Sequence, residues 1–196
     1  LIRRSGLELG NVKAAAWTYG IDSGSDFAAA DVRVEQSAYV FDVYAGREHL
    51  GQFRMNWPGR HNVENALGAI AACTAAGVGP VQIKNALERF TGVKRRFDYR
   101  VKSDETVYID DYAHHPEELR ATIESVKELY PGKRIMGIFQ PHLYTRTRDF
   151  MNEFAEVLSA LDEIMLVEIY PARELPIPGV SSEALFQKIQ NPNKWI

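Results

Sequence analysis

Thr106-Val107-Tyr108-Ile109-Asp110-Asp111-Tyr112-Ala113-His114-His115-Pro116 (residues 106–116) joins a short β-prone run to a polar turn and then to a proline. Thr106–Ile109 predicts a strand, because β-branched and aromatic side chains suit a pleated surface. Pro116 suits the first turn of a helix, where its missing N–H costs nothing. Leu119, Ile123, Val126 and Leu129 then recur at helical spacing and predict a helix with one buried face. Strand, polar turn and helix in that order make half of a βα unit.

The same alternation continues downstream. Arg134–Phe139 reads as a short apolar strand covered on both sides. Asp149–Leu161 predicts a helix with Phe150, Phe154, Val157 and Leu161 facing inward, Ile164–Tyr170 a second buried strand, and Ser181 or Ser182 the cap of a helix through Ile189. Phe97–Val101 forms a further strand, joined to the 106–109 strand by the turn Ser103-Asp104-Glu105. The order implies an α/β fold with a Rossmann-like, mostly parallel sheet flanked by helices, whose ligands bind at the carboxyl ends of the strands.

Upstream the pattern differs. Val12–Tyr19, Phe27–Glu35, Ala38–Tyr44 and Leu50–Trp57 read as strands of an antiparallel patch, with Ala45-Gly46-Arg47-Glu48 as a hairpin turn. After Pro58-Gly59 a helix begins near Asn62 with Val63, Leu67, Ile70 and Thr74 on one face, and Gly77 and Gly79 end it. A second helix, Pro80–Phe90, buries Val81, Ala86, Leu87 and Phe90. Thr91-Gly92-Val93-Lys94 reads as a linker, which predicts two domains, 1–93 and 94–196.

Composition narrows the function. With 196 residues and 45% hydrophobic content the chain can build a real core. A net charge of −3 offers no basic surface for nucleic acid, and the apolar runs are too short to span a bilayer. The N-terminal residues lack a signal peptide's apolar run. The single cysteine, Cys73, sits among alanines in a helical pattern and reads as a buried small side chain in a reducing, cytoplasmic compartment. The chain starts without methionine, which leads us to expect a piece of a longer protein.

Three strand ends carry unusual residues: Asp110–His115, Gln140–Arg148 and Pro171–Glu174. Their acids, histidines and arginines are expected to converge on one rim, where arginine forks hold phosphate or carboxylate. Each also has a plainer reading. Asp111 and His114 suit the start of a helix, where they satisfy free N–H groups. His61, Asn62 and Asn65 suit helix capping, although Asn62 and Asn65 share a face with the donors and acceptors an adenine edge needs. Lys94-Arg95-Arg96 suits a solvated linker. A zinc site from Asp110, His114, His115 and His142 lacks ligand spacing, so no metal is assigned to these residues.

Taken together, these segments resemble the Mur ligase family. Gly59-Arg60-His61-Asn62-Val63-Glu64-Asn65-Ala66-Leu67 resembles the end of that family's central ATPase domain, and Arg95-Arg96-Phe97 its entry into the C-terminal domain. Asp110–Pro116, Phe139-Gln140-Pro141-His142 with Tyr144–Arg148, and Pro171–Glu174 with Pro176–Gly179 are similar to the L-alanine-adding branch. The resemblance implies an ATP-dependent ligase of peptidoglycan synthesis that joins L-alanine to UDP-N-acetylmuramate through an acyl phosphate, with ATP and Mg2+. It assigns His61 and Asn65 to adenine with Asn62 supporting that helix start on the nucleotide side, Arg96 to nucleotide phosphates, and Asp111 to ribose or domain orientation. Tyr112, His114, His142 and Arg146 would surround L-alanine, with Arg96 and His114 catalytic. Leu143 departs from the pattern, since many relatives carry arginine there. The sequence contains no Gly-x-x-Gly-Lys-Ser/Thr loop, which the family places upstream with its magnesium ligands, so the isolated chain is expected to be inactive. The tripeptide-recycling branch and a non-catalytic α/β binding module are the competing expectations.

Overall fold

A five-stranded sheet organises the first half of the chain, in the order β1 (Ile2–Arg4), β2 (Trp17–Ile21), β3 (Phe27–Glu35), β4 (Ala38–Ala45), β5 (Glu48–Met55). The computed structural model describes residues 1–8, 10, 14–21 and 24–196, so residues 12 and 13 of the expected first strand lie outside the described residues. The sheet is mixed rather than antiparallel: β1–β2 and β2–β3 are parallel, and only β3–β4–β5 are antiparallel. The parallel step is set by a side chain. Asp26, just before β3, accepts the N–H and hydroxyl of Thr18 at 2.8 and 2.9 Å, which docks the start of β3 beside β2. Those bonds hold the Asp26 carboxyl below its usual range. The β4–β5 hairpin turns through Gly46-Arg47, with Gly46 at φ 59.

Helix α1 (Arg60–Ala75) lays Val63, Ala66, Leu67, Ile70 and Ala71 on this sheet. Cys73 in the same helix is half-buried rather than buried. Helix α2 (Pro80–Glu88) buries Ile83, whereas Val81 is 65% exposed and Ala86 and Phe90 also face solvent. The expected apolar face was therefore rotated: Val81 lies in the first turn, and Phe90 lies past the helix end, where it stacks on Trp57 at 5.0 Å. The hairpin of β6 (Asp98–Lys102) and β7 (Val107–Asp110) follows, and two compact units, Leu1–Val107 and Tyr108–Ile196, divide inside β7.

The second unit runs α3 (Pro116–Leu129), β8 (Met136–Phe139), α4 (Tyr144–Asp149), α5 (Met151–Ser159), β9 (Glu163–Leu166), α6 (Ser182–Lys188), β10 (Lys194–Trp195). Strands β10, β9 and β8 form an all-parallel sheet in that order. Successive right-handed crossovers in one direction place the helices on one face. There Ile123, Phe139, Phe154, Leu158, Ile164, Leu166, Leu185 and Ile189 make one core. Full burial of a side chain such as Phe154 is worth about 1.5–3 kcal/mol. Among the described residues the other face is exposed, contrary to the reading of residues 134–139 as a strand covered on both sides. Ile138, Met165 and Trp195 are in register across the three strands and all exposed, with Ile138 at 66%. Strand β9 also ends earlier than expected, at Leu166, and Tyr170 pairs only through an isolated bridge to His142.

Candidate functional site

The turn after β7 is built around helix α3. His115 is its N-cap: the ring accepts the N–H of Glu117, and the Glu118 carboxylate takes the N–H groups of His114 and His115 at 3.0 and 3.2 Å. The His115 ring also meets Phe150 edge-on at 4.6 Å. His115 is thus committed to the helix and does not join the expected three-histidine rim. Asp111 accepts the Ala113 N–H at 2.8 Å and the Thr122 hydroxyl at 3.3 Å, which ties the turn to α3. Tyr112 and His114 remain beside each other, ring centroids 5.3 Å apart, with His114 Nδ1 2.8 Å from the Tyr112 carbonyl oxygen.

The turn after β8 brings His142 to the same place. Its ring lies 6.2 Å from that of His114 and stacks on Tyr170 at 5.5 Å. Leu143 next to it has φ 72 and ψ 134, a backbone conformation costly for a branched side chain. Its N–H donates to the Tyr170 carbonyl at 3.0 Å, and its own carbonyl accepts from the N–H of Thr147 at 3.1 Å. Helix α4 then places Arg146 Nη1 3.3 Å from His142 Nδ1. Burial first, then the charges of Arg146 and His114, hold the His142 imidazole below its usual range against the opposing pull of Glu174. His142 is therefore neutral at pH 7.

Glu174 arrives from the third strand end. Its carboxylate accepts the hydroxyl of Thr145 and the Thr145 N–H at the start of α4, and these bonds lower its pKa. Arg148 instead pairs with the neighbouring Asp149 at 2.7 Å. Helix α4, the Tyr170 platform and the Glu118 carboxylate were absent from the sequence reading. Only the His-Pro-x-Glu spacing of a capping box pointed to Glu118.

The remaining expected residues lie in the first unit. Asn62 Nδ2 donates to the Pro58 carbonyl at 2.6 Å, and Asn62 Oδ1 accepts from Asn65 Nδ2 at 3.1 Å. This leaves the exposed Asn65 amide with an adjacent donor and acceptor, the pattern that an adenine edge takes. His61 is exposed one turn before it. Arg96 sits in a tight turn, its N–H 3.1 Å from the Val93 carbonyl, between Arg95 at φ 60 and Phe97 at φ 46. Phe97 is buried and meets Tyr99 edge-on, so the backbone is anchored while Arg96 stays exposed. Among the described residues no group of three or more His, Cys, Asp or Glu is placed to hold a metal ion.

The chain has relatives among known proteins. Residues 95–195 match the family described as "Mur ligase, glutamate ligase domain", and residues 3–73 match "Mur ligase middle domain". The chain is 49% identical over 175 residues to the UDP-N-acetylmuramate--L-alanine ligase of Christiangramia forsetii, covering 89% of this chain and 39% of that protein. It superposes on the UDP-N-acetylmuramate-alanine ligase of Thermotoga maritima with a TM-score of 0.76 at 26% identity, over 92% of this chain and 39% of that one. It also shares the fold of the MurF ligase from Thermotoga maritima, solved in complex with ADP, with a TM-score of 0.65 at 18% identity, over 91% of this chain and 38% of that one. The chain thus spans about two fifths of the length of these relatives. With the two family matches together spanning most of its length and a relative 49% identical over 89% of it, this chain belongs to the Mur ligase family.

Proposed function

We propose that these residues supply the amino-acid-binding and adenine-side parts of a cytoplasmic ATP-dependent ligase that joins L-alanine to UDP-N-acetylmuramate. The observation that carries this reading is His142 set between Arg146 and His114 beside Tyr112. A permanent cation suits the carboxylate of a small amino acid, and an imidazole lone pair suits its amine. Arg146 takes the carboxylate, and Tyr112, His114 and His142 surround the rest. Asp111 orients the turn that carries Tyr112 and His114.

Residues 1–93 belong to the nucleotide-binding domain and 94–196 to the amino-acid-binding domain. The Asn65 amide and His61 fit adenine, with Asn62 holding Asn65 in place, and the exposed Arg96 fits nucleotide phosphate. ATP supplies the phosphoryl group that activates the muramoyl carboxylate as an acyl phosphate. The chain then positions the amine against it, and that positioning carries much of the rate. Magnesium has no assigned ligand among the described residues. No helix is long and apolar enough to cross a membrane.

The test is amine-dependent phosphate release by the full-length ligase that carries this sequence. L-Alanine is expected to support release and a free tripeptide is not, whereas the reverse result would make the protein a recycling ligase. The 196 residues alone are expected to release none, and clear turnover would overturn that part.

A further inference from the structure

The two imidazoles of the amino-acid pocket are held in opposite tautomers. His114 Nδ1 lies 2.8 Å from the Tyr112 carbonyl oxygen and 3.5 Å from Glu118 Oε2. Both neighbours accept here, the carboxylate already taking the N–H groups of His114 and His115. Nδ1 of His114 therefore carries a hydrogen, and the lone pair of the neutral ring is on Nε2. His142 is the converse. Its Nδ1 faces Arg146 Nη1 at 3.3 Å, and a guanidinium only donates, so the lone pair is on Nδ1 and the hydrogen on Nε2.

We propose that His114 Nε2 accepts the proton of the incoming amine, that His142 Nε2–H is a fixed hydrogen-bond donor to the amino acid, and that Glu118 is the positioning residue whose charge, 3.5 Å from His114 Nδ1, stabilises the resulting imidazolium, the Tyr112 carbonyl having set its tautomer. The proposal rests on the ligase reading and gives separate tasks to His114, which the resemblance names only as catalytic, and His142, which it places only around the amino acid. An amino acid arrives as an ammonium and has no lone pair until one N–H bond breaks. That proton goes to His114 Nε2, and the freed pair attacks the carbonyl carbon of the acyl phosphate. The C–N bond forms as the carbonyl π pair moves to oxygen. When that pair returns, the C–O bond to phosphorus breaks and phosphate leaves with its electrons, taking the second amine proton. The imidazolium then releases its proton to water. His142 cannot exchange roles with His114, because Arg146 occupies its only lone pair. The groups facing His114 are Tyr112 and Glu118 on its own turn and helix, and neutral His142 from the turn after β8.

The experiment compares two nucleophiles in the full-length ligase that carries this sequence, supplied with ATP and UDP-N-acetylmuramate. Hydroxylamine is largely uncharged at neutral pH and needs no base, whereas L-alanine does. His114→Gln is expected to slow alanine-dependent amide formation by about 10²–10⁴-fold while hydroxamate formation changes by less than about threefold. The alanine rate of this variant should climb about tenfold per pH unit as the amine deprotonates by itself. His142→Gln should raise the KM for alanine without adding that slope. Glu118→Gln keeps a capping acceptor, so its Tm should hold while its alanine rate falls relative to its hydroxylamine rate. This variant repeats the comparison if His114→Gln folds poorly. Equal slowing of both nucleophiles in a variant of unchanged Tm, or a His114→Gln profile parallel to the unsubstituted enzyme, overturns the proposal. Failure of the unsubstituted enzyme to form hydroxamate would instead overturn the acyl-phosphate reading beneath it.

Discussion

The hydroxyl of Thr147, fully buried, donates to the carbonyl oxygen of Leu143 at 2.8 Å. This bond clamps the one residue between His142 and α4 whose backbone is strained, and so fixes the angle at which His142 meets Arg146. Thr147→Val keeps the shape and removes the donor. It is expected to lower stability by about 0.5–1.5 kcal/mol in denaturant unfolding. The KM for the amino acid should rise while that for ATP holds, and Thr147→Ser should restore both.

Arg146 is expected to act through its planar fork as well as its charge. Arg146→Ala in the full-length ligase should raise the KM for L-alanine by about 10–100-fold, the worth of a charge-assisted hydrogen bond, and leave the KM for ATP unchanged. Arg146→Lys should recover only part of the loss. Equal effects on both substrates would assign Arg146 to the fold.

Stability should depend on pH in two windows. The His142 pKa is depressed below 6.5 by burial and by Arg146, so the unfolded chain binds a proton in this window that the folded chain refuses. Stability is therefore full above 6.5 and falls as pH drops from there through the folded pKa of His142. Glu174 is also depressed, from 4.5, by its bonds to Thr145, so its contribution is present above 4.5 and is lost at lower pH. His142→Gln should flatten the upper window and Glu174→Gln the lower, read as Tm against pH.

The two faces of the parallel sheet should answer differently to substitution. Phe154→Ala, on α5 in the covered core, is expected to cost about 3–5 kcal/mol. Ile138→Thr, on the open face, should change stability by no more than about 0.5 kcal/mol. Denaturant midpoints at constant m-value check both.

What the sequence disclosed follows from which residues carry a periodic signal. Leu119, Ile123 and Leu129 announce α3, and Phe150, Phe154 and Val157 announce α5, because a buried helix face repeats. Helix α4 announces nothing: among its six residues only Thr147 is buried, and its start is held by Glu174, 29 positions away. The parallel β2–β3 pairing hangs on the Asp26–Thr18 contact, which leaves no trace in hydrophobic patterning. Burial failed at Ile138 and Val81 for a related reason, since an apolar side chain says what it prefers and not whether a neighbour exists to cover it. At the candidate site, the four-residue spacing of His142 and Arg146 was legible as a motif. Tyr170 was not, because it read as one more strand residue. Glu118 was hidden behind an unusual histidine N-cap.

The row formed by Ile138, Met165 and Trp195 ends in an indole that is 45% exposed. The other two tryptophans, Trp17 and Trp57, belong to the first unit. Water around an indole shifts its emission to longer wavelength, and an apolar cover shifts it back. The sheet therefore carries its own optical gauge: a blue shift that disappears in Trp195→Phe registers, without any label, the moment something closes over that face.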